Sequence, residues 1–225
     1  MQQVIDFLKE LKQHNDRGWF EKHKAEYKTV QVKVNQFAEQ LALQIADFDP
    51  TVKGLQLKDI TYRIYRDTRF SNDKTPYKTH IGIYIAPGGK CAGFSGYYFH
   101  IEPFDNDLKS NHLLSSGVYM PDPKVLKSIR EDIAFSGQEF VDSLKQAKGF
   151  TLETENSLKK LPKGFSPESP YSEYLKLKNF FVTQPISETI ILSENLLETT
   201  TQEFKKTLNF NNYLNKAIRF SIENQ

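Results

Sequence analysis

Five basic side chains, Arg63, Arg66, Arg69, Lys74 and Lys78, fall within residues 61–79, TYRIYRDTRFSNDKTPYKT, which hold only two carboxylates, Asp67 and Asp73. The stretch is therefore three charges net positive, whereas the whole chain of 225 residues is only +2. Arginine's planar fork meets a carboxylate or phosphate through two parallel hydrogen bonds, and lysine adds a point charge. Three arginines so close together need more acceptors than the stretch contains. Acids elsewhere in the chain can fill the deficit, giving a structural ion-pair network whose desolvation cost offsets much of its Coulombic gain. Alternatively an anionic ligand fills it. Arg63, Arg66, Arg69, Lys74, Tyr77 and Lys78 would then bind a compact phosphate- or carboxylate-bearing small molecule in a concave basic pocket, with Tyr62 and Tyr65 offering hydroxyl donors or a stacking wall.

An enzyme acting on such an anion also needs an acid and a base. His80 and His100 are the candidates, because an unperturbed imidazole titrates near neutrality, with Asp67 or Asp73 orienting one of them. This hydrolase-type reading is the alternative to simple binding. Two histidines and a carboxylate can hold a divalent metal, but no HxH or HExxH spacing occurs and there is one cysteine, so neither a metal nor a cofactor is expected. No GxSxG elbow or GxxxxGK[ST] phosphate loop is present, and Pro87-Gly88-Gly89-Lys90 reads as a hairpin connection. Cys91 in that connection reads as a passive thiol, and His112 has no evident partner in the sequence.

The elements that must position these residues are legible from periodicity. Ile60, Tyr62 and Ile64 alternate with Thr61, Arg63 and Tyr65, the period of a half-buried strand. Ser71-Asn72-Asp73 are turn formers, and Pro76 keeps Thr75 out of the helical region. Ile81, Ile83 and Ile85 give a second strand near 78–86, and a third follows near 93–102, so the charged residues sit on a loop carried by a sheet. Pairing Ile81 with Phe99 and Ile83 with Tyr97 sets His80 opposite His100, Gly82 opposite Tyr98 and Tyr84 opposite Gly96. Tyrosine lying over a cross-strand glycine pins register. Both histidines then share one face beside the basic loop, and a one-residue slip would exchange the faces.

Helices are expected on both sides of this sheet. Val4, Phe7, Leu8 and Leu11 make a short amphipathic helix, and Asn15-Asp16 offer a cap for the next. Phe20, His23, Tyr27, Val30, Val34, Phe37, Leu41 and Ile45 step by three or four until Asp49-Pro50. His23 reads as a core or boundary histidine there, and Trp19 as a packing anchor. Asp122 caps a helix with Pro123 at its first position, carrying Val125, Leu126, Ile129 and Ile133. Phe140, Val141 and Leu144 continue in a further helix closed by Gly149. A short helix follows Ser169-Pro170, Phe180-Phe181-Val182 reads as a strand, and Leu196 to Ile218 as two closing helices. The class is α+β, a central antiparallel sheet flanked by N- and C-terminal helices, in a single domain spanning 1–225.

The central stretch, with its RxxRDTRFSxDKxPYKT pattern, resembles the signature of the domain-of-unknown-function 2461 family. The similarity extends to Asn15-Asp16-Arg17 with Trp19-Phe20, to Gly117-Val118-Tyr119-Met120-Pro121 leading to Ile129-Arg130, and to Leu161-Pro162-Lys163-Gly164-Phe165 with Pro170 and Leu177-Lys178. The middle motif of that family is usually richer in glycine, and Ser115-Ser116 depart from it. The resemblance implies no activity.

Composition narrows the partners. Aromatic content is 13%, with 17 Phe and 11 Tyr, which favours a packed domain over disorder. A single cysteine excludes an intramolecular disulfide and fits a reducing compartment. Asp6, Lys9, Glu10 and Lys12 break the first residues, so neither a signal peptide nor a membrane span is expected and the location is cytoplasmic. Tyr62, Tyr65, Phe70 and Tyr77 between cations suit stacking on a single-stranded nucleic acid. A nucleic-acid footprint, however, is usually a broad basic face, which a small anionic ligand does not require.

Overall fold

In the computed structural model, which describes residues 1–103 and 111–224, the N-terminal stripe forms α1 (Gln2–Gln13), burying Val4, Ile5, Phe7, Leu8 and Leu11. Asp16 accepts the Trp19 N–H at 2.9 Å and starts α2 (Arg17–Lys22). The single helix expected from Phe20 to Ile45 is divided at His23, whose φ of −102° and ψ of 13° leave the helical region. Its Nδ1 meets the Trp19 carbonyl at 2.8 Å, and the ring stacks on Trp19 at 4.0 Å, so the half-buried imidazole fills the break. The longest helix, α3 (Lys24–Phe48), follows and buries Val30, Val34, Phe37, Leu41 and Ile45.

A four-residue helix, α4 (Leu57–Ile60), then takes the place of the start of the expected strand. Gln56 and Asp59 close a capping box there, which is why Ile60 ends a helix instead. Residues 61–65 form no strand, with a bend at Ile64, and make only isolated bridges, Thr61 to Ile83 and Tyr65 to Tyr77.

The sheet itself contains β1 (Ile81–Ile85), β2 (Gly96–Ile101), β3 (Leu113–Val118), β4 (Thr151–Leu152) and β5 (Phe180–Pro185), antiparallel throughout in the order β1-β2-β3-β5-β4. α5 (Pro123–Gln146) lies between β3 and β4, and α6 (Ser172–Leu175) between β4 and β5. The apolar stripes expected as two helices are the halves of α5, bent at Ser136 (φ −128°, ψ 38°). The chain closes through α7 (Glu188–Leu192), α8 (Leu196–Lys205) and α9 (Leu208–Glu223). The class is α+β.

The β1–β2 register is two residues away from the expected one: Gly82 faces His100, Ile83 faces Phe99 and Tyr84 faces Tyr98. A slip of two preserves parity, so every side chain keeps its face. Gly96 is not opposite Tyr84. A β-carbon there would meet the Ile85 carbonyl at 2.4 Å and the Ala86 side chain at 2.5 Å, so glycine is required where β1 ends. One tyrosine–glycine contact survives diagonally, since a β-carbon on Gly82 would meet the Tyr98 hydroxyl at 2.6 Å.

One face of the sheet is covered. Ile83, Ile85, Tyr97, Phe99 and Leu114 join a cluster with α1, α3 and α8. Val118, Phe180 and Val182 join a second with α5 and α9. The other face carries Gly82, Tyr84, Tyr98, His100, Ser115 and Thr183, all buried or half-buried. Among the described residues no helix is long and apolar enough to cross a membrane.

Candidate functional site

The basic loop is fastened to the N-terminal helices at its base. Asn15 donates from Nδ2 to the Tyr77 carbonyl at 3.0 Å and accepts the Tyr77 N–H at 3.1 Å. The Tyr77 ring is 3% exposed and stacks on Phe20, 4.0 Å between centroids and 14° from parallel. Opposite, Lys78 N–H donates to Ile64 O at 2.8 Å and Arg66 N–H to Pro76 O at 2.9 Å. The two strands of the loop are thus held at residues 64–66 and 76–78, which fixes Arg63 and Lys78 beside β1.

Its tip is saturated by its own residues. Arg66 pairs with Asp73 and with the Thr75 hydroxyl. Arg69 meets Asp67 through Nε at 3.0 Å and a terminal nitrogen at 2.6 Å, and Lys74 donates to the Thr68 carbonyl at 2.9 Å. These contacts hold both carboxyls at about 2, below the usual carboxylate range, Asp67 chiefly through Arg69 and Asp73 chiefly through Arg66. Arg66 and Tyr77 border a small recess of about 320 Å³ that also contains Glu21.

A larger cavity, about 560 Å³, lies over this second face of the sheet and reaches Tyr27, Val30 and Val34 of α3. Arg63, Lys78 and Lys90 line it together with His80 and His100, and no Asp or Glu is among its described lining residues. Arg63 has no ion pair among the described residues. Lys78 and Lys90 sit over the Tyr62 ring at 5.3 and 5.8 Å, close enough for cation–π attraction. Burial, then the charge of Arg63, pushes the Lys78 ammonium below its ordinary pKa. An anion placed here would relieve that repulsion.

The two imidazoles lie on one face, stacked at 4.9 Å. His100 sits between Tyr98, whose hydroxyl is 2.9 Å from Nδ1, and Glu102, whose carboxylate is 3.5 Å from Nε2. A carboxylate only accepts, so the tautomer that suits both neighbours carries its proton on Nε2 and accepts a hydrogen bond from the Tyr98 hydroxyl at Nδ1. Contact with His100 holds the Glu102 carboxyl at about 2, outweighing burial, which acts the other way. His80 is pushed down to about 4, mainly by burial and then by His100, Lys78 and Arg66, against the opposing pull of Glu102.

That depression has a defined sign. An unfolded His80 takes up a proton near 6.5 but the folded one near 4, so its contribution to stability is complete above pH 6.5 and is lost as pH falls toward 4. His80→Gln is expected to flatten the acid limb of a stability-versus-pH curve in that window, as measured by urea unfolding at intervals from pH 7 to pH 4. An acid limb unchanged by the substitution would contradict this.

Of the six residues expected to bind an anion, the structure brings Arg63 and Lys78 to the large cavity. Arg66, Arg69 and Lys74 are turned to partners within the loop tip, and Tyr77 is in the core. The aspartates expected to orient a histidine are bound to Arg69 and Arg66, and the carboxylate beside His100 is Glu102 instead. Glu102 is two residues from His100 on the same strand face, a spacing that strand parity alone would have revealed. Tyr98, Ser115 and Lys90 also reach the cavity. Lys90 does so from the connection after β1, which no local pattern shows. His112 is buried, accepting the Glu102 N–H at Nδ1 at 3.1 Å and facing Glu188 at 3.6 Å from Nε2.

Comparison with known proteins adds one finding. A family model described as Conserved hypothetical protein (DUF2461) matches residues 3–213. No curated protein and no solved structure matches the chain.

Proposed function

This chain belongs to the DUF2461 family of conserved hypothetical proteins, and from that premise we propose that it binds a small anionic molecule, phosphate- or carboxylate-bearing, in the cavity at the base of the basic loop. The observation that carries this reading is the lining: three cations and two imidazoles around about 560 Å³, with no carboxylate among the described lining residues. Concave sites of this size with a few convergent polar groups are typical of small-molecule binding. Arg63 and Lys78 hold the anion, Lys90 adds charge at the rim, and the loop tip serves as an internal ion-pair network that stiffens the support. A cytoplasmic setting accompanies this reading, since the one cysteine, Cys91, is free and exposed. Calorimetric titration of the full chain with inorganic phosphate at low ionic strength tests it. Saturable heat that fades as salt is raised is expected, and a flat titration for both phosphate and a simple carboxylate would overturn it.

A second reading, hydrolase-type acid–base chemistry on the same anion, is favoured by the stacked pair His80 and His100 inside the cavity. With the imidazole of His80 neutral at pH 7, it is able to accept a proton from water. A screen of chromogenic phosphate and carboxylate esters tests this reading. Activity that survives His80→Gln combined with His100→Gln would remove it.

A further inference from the structure

We infer that the ligand is an anion joined to a flat, hydrogen-bonding ring system, the chemistry of a nucleoside monophosphate; this rests on the anion-binding reading above and specifies the rest of the molecule. The cavity is polarised along the sheet. Its cations all lie at the β1 end, where Thr61 bridges Ile83 and where Lys78 and Lys90 flank Tyr62. Its far end, at β3 and β5, is aromatic: Tyr119 meets Phe181 edge to face at 5.8 Å and 74°.

Between the two ends runs one register row, Tyr84, Tyr98, Ser115 and Thr183, aligned across β1, β2, β3 and β5. Three interstrand steps span about 14 Å, so a ligand touching both ends is elongated, charged at one end and flat at the other. The hydroxyls of Tyr84 and Tyr98 are already bound, to Phe94 and Gly117 carbonyls and to His100. No side chain among the described residues bonds the hydroxyls of Ser115 or Thr183. A simple alkyl chain laid over them would cover polar groups without pairing them, whereas a sugar or heterocycle supplies partners.

The aromatic end is also preformed. Met120 holds the left-handed conformation, φ 48°, and its N–H donates to Asn179 Oδ1 at 2.8 Å. Tyr119 is thereby presented at the rim on a fixed turn with 68% of its surface exposed, a ring available for stacking at little ordering cost.

Calorimetry on the full chain with adenosine monophosphate, hexyl phosphate and inorganic phosphate tests the inference. Adenosine monophosphate is expected to bind about tenfold or more tighter than either of the others. Tyr119→Ala, a change at an exposed position, is expected to erase most of that advantage while leaving phosphate affinity unchanged and lowering the melting temperature only slightly, through the lost contact with Phe181. Equal affinities for adenosine monophosphate and hexyl phosphate, or an advantage indifferent to Tyr119→Ala, would overturn the inference and leave the anion-binding reading standing. Absence of binding by all three would overturn both.

Discussion

Replacing Arg63 and Lys78 together by methionine is expected to abolish measurable anion binding and to leave the melting temperature within about 2 °C of wild type. Methionine keeps most of each side chain's apolar stem, so packing is conserved while charge is removed. A hydrogen bond to a charged group contributes about 1.5–3 kcal/mol, so losing two costs a factor of about 10² or more in affinity. No protein carboxylate is orphaned, because neither cation has an ion pair among the described residues, and the burial of the Lys78 charge and its repulsion by Arg63, which together depress its pKa, both disappear. Arg66→Ala makes the informative contrast. It removes a partly exposed pair with Asp73, whose side chains are 26% and 57% exposed, so only a small stability loss is expected. Affinity should change little, because Arg66 does not line the large cavity. Calorimetry and thermal melts on the two variants separate the binding role proposed for the base of the loop from the shaping role proposed for its tip.

The largest stability effect is expected from Phe20→Ala. Phe20 is fully buried, packs edge to face with Phe7 at 6.4 Å and stacks on Tyr77 at 4.0 Å. Truncating such a ring typically costs about 3–5 kcal/mol through lost burial and the cavity left behind. The loss should appear as a lower urea midpoint with an unchanged slope. Because Tyr77 immediately precedes Lys78, the folded fraction of this variant should also bind anions more weakly. Full affinity in the folded fraction would show that the Phe20–Tyr77 stack does not position the site. This contact gives the similarity of the chain's N-terminal and central motifs to those of the family a physical meaning: Asn15 and Phe20 belong to one, Tyr77 to the other, and they are clamped together.

Much of this was legible in the sequence wherever a local pattern coincided with burial. The stripe Val4, Phe7, Leu8 and Leu11, the Asp122–Pro123 start of α5 and the strand at Phe180 all follow from spacing and capping. The shared face of His80 and His100 was legible for a more robust reason, since strand parity survives the two-residue error in register. Elsewhere the determining contacts are distant in sequence. Leu113–Val118 reads as no strand because Ser115 and Ser116 are consecutive polar residues, yet Ser116 is buried against the Thr207 hydroxyl at 2.6 Å, while Ser115 lines the cavity. Counting carboxylates in 61–79 suggested a deficit shared by three arginines. The fold assigns both acids to Arg66 and Arg69 and leaves the deficit on Arg63 alone. No local rule distinguishes these arginines, because the difference lies in which of them the Asn15–Tyr77 clamp brings over the open sheet face.

The most direct test of the account is a crystal structure of the full chain soaked in selenate, with the tetrahedral anion located by the anomalous signal of selenium. The account predicts one strong site in the cavity over β1 and β2, with anion oxygens within hydrogen-bonding distance of the Arg63 guanidinium and the Lys78 ammonium. Selenate at the loop tip against Arg66 and Arg69, with the cavity empty, would contradict it.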